Sequence, residues 1–291
     1  MFPPSLLEAI PGVLSVAAPV GTTSALVFDS PHSGVELPAD FHPAVNREIV
    51  LLATDTYVDE LFEAAPSVGA PLLMAHFPRS FLDVNRSDED VDLEMVAGNW
   101  PRRIRESTSA KRGMGLAWRF AWGDTHMHNG PISVAELEAR IDTYWHPYHA
   151  RIEGLLNNAH KLHGHVYHIN CHSMPAIGHA LSPDPVGTVR ADIVVGDYDG
   201  QSAEPGFVVA IVECLKQMGY SVSINVPFRG AELVSRYADP AQGRHSIQIE
   251  VNRRLYMNES TREKNQGFAE LKANMSTICR VASDYVATLS H

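Results

Sequence analysis

Apolar and polar positions along this 291-residue chain switch repeatedly between two periods. A buried strand reads as a short apolar or alternating run, and a helix as apolar residues three and four apart. The run SALVFD over 24–29 predicts a strand, cut short by the Pro and Gly of SPHSG. Residues 46–64 carry Ile49, Leu52, Ala53, Val58, Leu61 and Phe62 at helical spacing, which predicts one helix or a broken pair. Strands are expected over 71–77 and 81–84. The pattern over 133–162 is helical again, with Ser133 as N-cap, Glu136 at capping-box spacing and Pro147 as a break or kink. Further strands are expected at 165–171, 192–196, 221–226 and 245–253. Between and after them come a helix over 205–218, closed by Gly219, and a C-terminal helix over 261–289. This alternation predicts an α/β fold, one domain over 1–291, with a mixed, mostly parallel central sheet covered by helices on both faces. The segment 99–130, rich in Arg, Trp, Gly and His, shows no period. A long irregular stretch in a compact domain predicts a functional loop, here read as a lid.

The last strand carries the most pointed chemical signal. In SIQIEVN, Ile247, Ile249 and Val251 alternate with Gln248, Glu250 and Asn252, so the polar set faces away from the aliphatic one. If that face lines a pocket, Glu250 is a candidate general base, because burial raises a carboxyl into the range where it can accept and return a proton. On a solvated edge strand it would be an ordinary surface residue. Ligand sites in open α/β sheets lie outside the carboxyl ends of the strands. Two predicted strands end near histidine: His32 in PHSG and His172 in CHSMP. Zinc takes imidazole nitrogen and carboxylate oxygen, and no HExxH motif supplies the acid here. Asp55, in TDTYVDEL, and Glu36 are both open as the third ligand.

In FPRSFLDVNR, Arg79, Asn85 and Arg86 flank a short apolar run. Paired guanidiniums bind carboxylate through parallel hydrogen bonds, which suits an acidic substrate. The competing reading pairs them with Asp88, Glu89, Asp90 and Asp92 at the surface. Arg119, in the irregular segment, is a third candidate. Ser33 and Ser173 lack a GxSxG context, and Cys171 lies inside a predicted buried strand, which favours an inert thiol.

A net charge of −11 argues against nucleic acid or an anionic membrane as partner. Three widely spaced cysteines fit neither a disulfide framework nor a cysteine zinc site. The N-terminus lacks the pattern of a signal peptide and no apolar run is long enough to span a bilayer, so the expected location is the cytoplasm. The sequence is silent on oligomeric state.

Taken together, SPHSG, ATDTYVDEL, PRSFLDVNR, PYH, CHSMP, NVPFRGAEL and IQIEVNRRLYM resemble, in the same order and from about Asp29 to Asn258, the N-formylglutamate amidohydrolase family. The resemblance implies a phosphorylase/hydrolase-like fold similar to zinc carboxypeptidases and aminoacylases. It also implies a metal-dependent hydrolase that releases formate and glutamate from an N-formyl amino acid, as in histidine degradation. Carried over by position, His32 and His172 would hold one zinc, or another divalent metal, with Asp55 preferred as third ligand and Glu36 in reserve. Glu250 would activate the attacking water, and Asn85 and Arg86, with Arg79, would grip the substrate carboxylate. Two departures stand out: Asn170 occupies a position where the family commonly has Asp, and the 99–130 segment fits the family poorly apart from Arg119. The alternatives are a deacylase for another N-acyl amino acid and a non-catalytic protein that binds small acidic molecules.

Overall fold

The computed structural model describes residues 1–105, 107–122 and 124–289. Its centre is a seven-stranded sheet made of β1 (Leu14–Ala17), β2 (Leu26–Ser30), β3 (Leu72–Ala75), β4 (Val166–Met174), β5 (Ile193–Gly196), β6 (Val222–Ile224) and β7 (Arg244–Asn252). The spatial order is β1-β3-β2-β4-β7-β5-β6. The four central strands β3, β2, β4 and β7 run parallel. The edge strand β1 is antiparallel to β3, and the β5–β6 pair is antiparallel to β7.

The strands that carry the chemistry are the two longest, β4 and β7, paired along their whole length with β2 on the other side of β4. Their period-two pattern gives the sheet two unlike faces. One face presents Phe28, Ile169, Cys171, Ile247, Ile249 and Val251 to an apolar core under two helices, α2 (Pro205–Gln217) and α3 (Phe268–Thr288). In α2 the buried positions Phe207, Val208, Ile211, Val212 and Leu215 form the stripe that the sequence period requires. The other face carries a polar ladder. Asp29 lies opposite Asn170, which lies opposite Gln248, and one step further His172 lies opposite Glu250. This face is covered by a third helix (His146–His163) and by the segment between β3 and that helix, which contribute a second apolar core.

Several local expectations need correcting. Residues 81–84 form no strand: Phe81, Leu82 and Val84 are buried against the second core, and Asp83 donates its backbone N–H to the Leu116 carbonyl at 2.7 Å, so the packing comes from a loop, not a ladder. The stretch predicted as one helix after Ser133 is Val134–Arg140 joined to His146–His163 through the π turn Ile141–Trp145. Ser133 Oγ does cap it, accepting from Glu136 N at 3.1 Å, and Pro147 sits in the first turn of the later helix, where no N–H is required. The C-terminal helix begins at Phe268, after the polar run TREKNQG. His172 lies within β4, not beyond its end.

Glu106 and Gly123, inside the 99–130 segment, and Ser290 and His291 lie outside the described residues. The remainder of 99–130 has little regular structure but is well packed, with Leu116, Ala117, Trp118, Ala121 and Met127 all buried. Among the described residues no helix is long and apolar enough to cross a membrane.

Candidate active site

The turn after β2 carries His32, and its path depends on Gly34, where any Cβ would stand 2.3 Å from the His76 carbonyl carbon. Asp55 follows the helix Arg47–Leu51 and donates its backbone N–H to the His32 carbonyl at 2.9 Å. His172 projects from the polar face of β4. These three elements bring His32, Asp55 and His172 together, all buried, with one donor atom from each within 4.8 Å of the others.

The histidines are oriented from behind. His32 Nε2 is 2.7 Å from Asp83 Oδ1, and His172 Nε2 is 2.6 Å from Asn170 Oδ1. The Asn170 amide cannot turn round, because its Nδ2 donates to Asp29 Oδ1 at 2.7 Å. For His32 this contact places the ring proton on Nε2 and leaves Nδ1 free to ligate, an arrangement common behind metal ligands, while His172 Nε2 has the Asn85 amide nitrogen beside it as well. Asp29 is itself fixed by His168 Nε2 at 2.9 Å and by the Tyr148 hydroxyl at 2.8 Å. Asn170 thus supplies from an amide oxygen the orienting contact that a carboxylate would otherwise give.

The donor set fits a divalent metal. His32 Nδ1 is buried and makes no hydrogen bond, although Asp55 Oδ2 stands 3.5 Å away. The same oxygen is 2.9 Å from His172 Nδ1. Two imidazole nitrogens and a carboxylate oxygen are the ligands that zinc favours. Burial opposes ionisation of Asp55, but the neighbouring His172 and His32 rings outweigh it and hold the carboxyl well below its ordinary range. Its other oxygen accepts from Arg253 Nη2 at 3.0 Å and from Ser173 Oγ at 3.2 Å. Glu36 lies elsewhere, 62% exposed and 3.9 Å from His76.

Glu250 stands beside His172 across the β4–β7 ladder with only 8% of its surface exposed. Its nearest hydrogen-bonding neighbour is Gln248 Nε2, at 3.4 Å. Burial pushes its carboxyl up to about 7, with Asp55 adding to the rise and His172, Arg79 and Arg253 opposing it. β7 is interior to the sheet, so the solvated edge-strand alternative does not hold.

A cavity of about 510 Å³ opens above this group, lined by His172, Glu250, Arg79, Asn85, Arg86 and Trp118 among others. Arg79 is clamped on Asp83 Oδ2 by Nε at 3.2 Å and Nη2 at 2.9 Å and stacks on Trp118. Asn85 is buried, with Nδ2 3.2 Å from His172 Nε2 and Oδ1 accepting from Leu233 N at 2.9 Å. Arg86 reaches the same cavity. Arg119 does not: it pairs with Asp92 at 3.0 Å and with Glu94, outside the cavity wall. Sequence reasoning passed over Asp83, though it sits inside the LDVNR motif, and Arg253, the first residue after β7. It also passed over Arg112, which also lines the cavity and which no motif or period marks.

A polar ladder at the carboxyl ends of parallel strands, two oriented imidazoles, a strongly acidic Asp and a lone high-pKa Glu below an arginine-rich cavity define a hydrolase built on an α/β sheet. The sequence pattern of the family described as N-formylglutamate amidohydrolase matches residues 24–257, and the chain belongs to that family. Its structure resembles the crystal structure of N-formylglutamate amidohydrolase from Ralstonia eutropha JMP134, with TM-score 0.89 and 38% identity over 95% of this chain and 99% of that one. N-formylglutamate deformylase from Pseudomonas putida is 25% identical over 252 residues, covering 81% of this chain and 82% of that protein. Its counterpart from Pseudomonas aeruginosa is 27% identical over 251 residues, 80% and 82% respectively. A protein from Agrobacterium tumefaciens shares the fold at TM-score 0.67 and 17% identity, over 100% of this chain and 99% of that one.

Proposed function

We propose that this chain hydrolyses the formyl amide of N-formyl-L-glutamate, releasing formate and L-glutamate, with one divalent metal, zinc in the first instance, held by His32, Asp55 and His172. The observation that carries the reading is the convergence, beneath one cavity, of a buried His32 Nδ1 without a partner, Asp55 and His172, with Glu250 alongside. Family membership and the relatives' names supply the substrate.

When bound, the metal would polarise the formyl carbonyl and make an attacking water more acidic. Glu250 takes the proton of that water and returns it to the leaving amine nitrogen. A carboxyl that burial raises to about 7 can do both near neutral pH, where a surface glutamate would hold no proton to give back. Arg79, fixed in place by Asp83, offers a positive charge to the oxygen on which negative charge develops. Arg86 receives a carboxylate of the amino-acid portion.

The test is metal content and formate release from N-formylglutamate, before and after chelation. Stoichiometric metal with release that chelation abolishes and metal restores is the expected result. Release that survives complete chelation would remove the metal from the reaction, and metal without any release would remove the substrate.

A further inference from the structure

Among the described residues six arginines line the cavity, Arg79, Arg86, Arg112, Arg190, Arg229 and Arg253, against one carboxylate, Glu250. In a chain of net charge −11 this is a marked local excess of positive charge. Four of the six are matched by a carboxylate: Arg79 by Asp83 at 2.9 Å, Arg190 by Asp184 at 2.6 Å, Arg229 by the half-exposed Asp199 at 2.6 Å and Arg253 by Asp55 at 3.0 Å. Two are not. Arg86 donates to the backbone carbonyls of Asn85 at 2.9 Å and Met114 at 3.3 Å, with Asp83 and Asp90 acting on it only from beyond ion-pair distance. Arg112 has neither an ion pair nor a side-chain hydrogen bond among the described residues.

Arg112 is nevertheless held in position by its backbone. It closes the short helix Thr108–Lys111, donating its N–H to the carbonyls of Thr108 at 3.2 Å and Ser109 at 3.1 Å. Gly113 follows at φ +75°, where a Cβ would meet the Phe120 ring at 2.4 Å, so the chain leaves Arg112 by a path open only to glycine. Trp118, in the same wall, has a buried indole N–H with no acceptor. Among the described residues the cavity therefore offers two guanidiniums without an ion-pair partner and a spare donor, and asks for acceptors that its occupant must bring.

We propose that Arg112 is the specificity-determining residue that reads the side-chain carboxylate of the substrate, while Arg86 takes the other carboxylate. This rests on the reading that the substrate is an N-formyl dicarboxylic amino acid. A neutral isostere leaves Arg112 facing an amide that answers only part of its hydrogen bonding and none of its charge, and a site built for a charged group rejects such an analogue.

The experiment compares wild type with Arg112→Met and Arg112→Lys on matched acid and amide ligands. Binding of L-glutamate and L-glutamine is measured by calorimetry on the metal-loaded protein, and kcat/KM is measured for N-formylglutamate and N-formylglutamine. Wild type should prefer the acid by about 10- to 100-fold, the worth of hydrogen bonds to a charged group. Arg112→Met should abolish that preference by weakening the acid ligands far more than the amide ones, and Arg112→Lys should retain part of it. An acid preference that persists in Arg112→Met overturns the inference, as does an equal loss on acid and amide. If wild type deformylates neither substrate yet Arg112→Met loses the glutamate-over-glutamine binding preference, the activity reading fails and the role of Arg112 stands.

Discussion

Replacing Glu250 by glutamine keeps the outline of the side chain and removes the one carboxyl in the cavity wall that burial keeps protonated up to about pH 7. The ordinary value for this group is 4.5, so folding raises it. Between pH 4.5 and 7 the folded protein binds a proton that the unfolded chain has released, so stability falls as pH climbs through that window. Below it both states are protonated and the penalty is absent; above it both are ionised and the penalty is full. A rise of this size corresponds to about 3 kcal/mol. Glutamine pays no such penalty at any pH. The metal-free Glu250→Gln protein should therefore match wild type closely at pH 4.5 and exceed it by about 3 kcal/mol at pH 8 in urea unfolding after chelation. The same variant, loaded with metal, should lose about 10²- to 10⁴-fold in kcat, the usual contribution of a positioned acid–base group, while retaining its metal content. A stability difference that does not change between the two pH values would refute the buried-carboxyl argument. Undiminished turnover would refute the catalytic one.

Asp83→Asn removes the charge that orients His32 Nε2 and clamps Arg79, and should weaken metal binding about 10- to 100-fold in a chelator competition. Asn170→Asp would set a second carboxylate against Asp29 Oδ1, where an amide nitrogen now stands 2.7 Å away; it should destabilise the fold by about 3 kcal/mol in urea unfolding, and Asp29→Asn in the same chain should recover most of the loss. Arg119→Ala breaks ion pairs with Asp92 and Glu94 and should leave kcat/KM for N-formylglutamate within about twofold, since Arg119 does not line the cavity. Ile211→Ala, in the fully buried stripe of α2, should cost about 2 to 5 kcal/mol of stability without altering KM.

The central strands were legible because β2, β4 and β7 carry their aliphatic residues at strict period two or in short unbroken runs, and the burial of one whole face enforces that register. That His32 and His172 would lie near one another followed from reading both at strand ends on one sheet edge, although His172 sits within β4, while Asp55 was preferred over Glu36 only through the family resemblance. The edge strand Leu14–Ala17 escaped notice because only Leu14 is buried and four residues give no period to read. Phe81–Val84 imitated a strand because a loop can bury apolar side chains on both sides without pairing its backbone. Arg119 was read as a substrate contact because whether a guanidinium is already matched by a carboxylate, as Arg119 is by Asp92 and Glu94, depends on side chains brought together by the fold. Asp29 and Asp83 were likewise invisible, since their partners His168 and His32 are 139 and 51 residues away.

The face-to-face register of His172 and Glu250 has a kinetic corollary. The two residues are brought together only when β4 and β7, separated by a long excursion through β5, α2 and β6, close against each other. Loop closure of that length is slow compared with local helix formation. During refolding, far-ultraviolet signal from α2 and α3 can recover while the centre is still in two halves, one able to gather His32, Asp55 and His172 and the other carrying the base. The span from β2 to β4 is longer still, so the proposed metal ligands and the base are assembled by two separate long closures, and metal uptake and turnover on refolding would report one each.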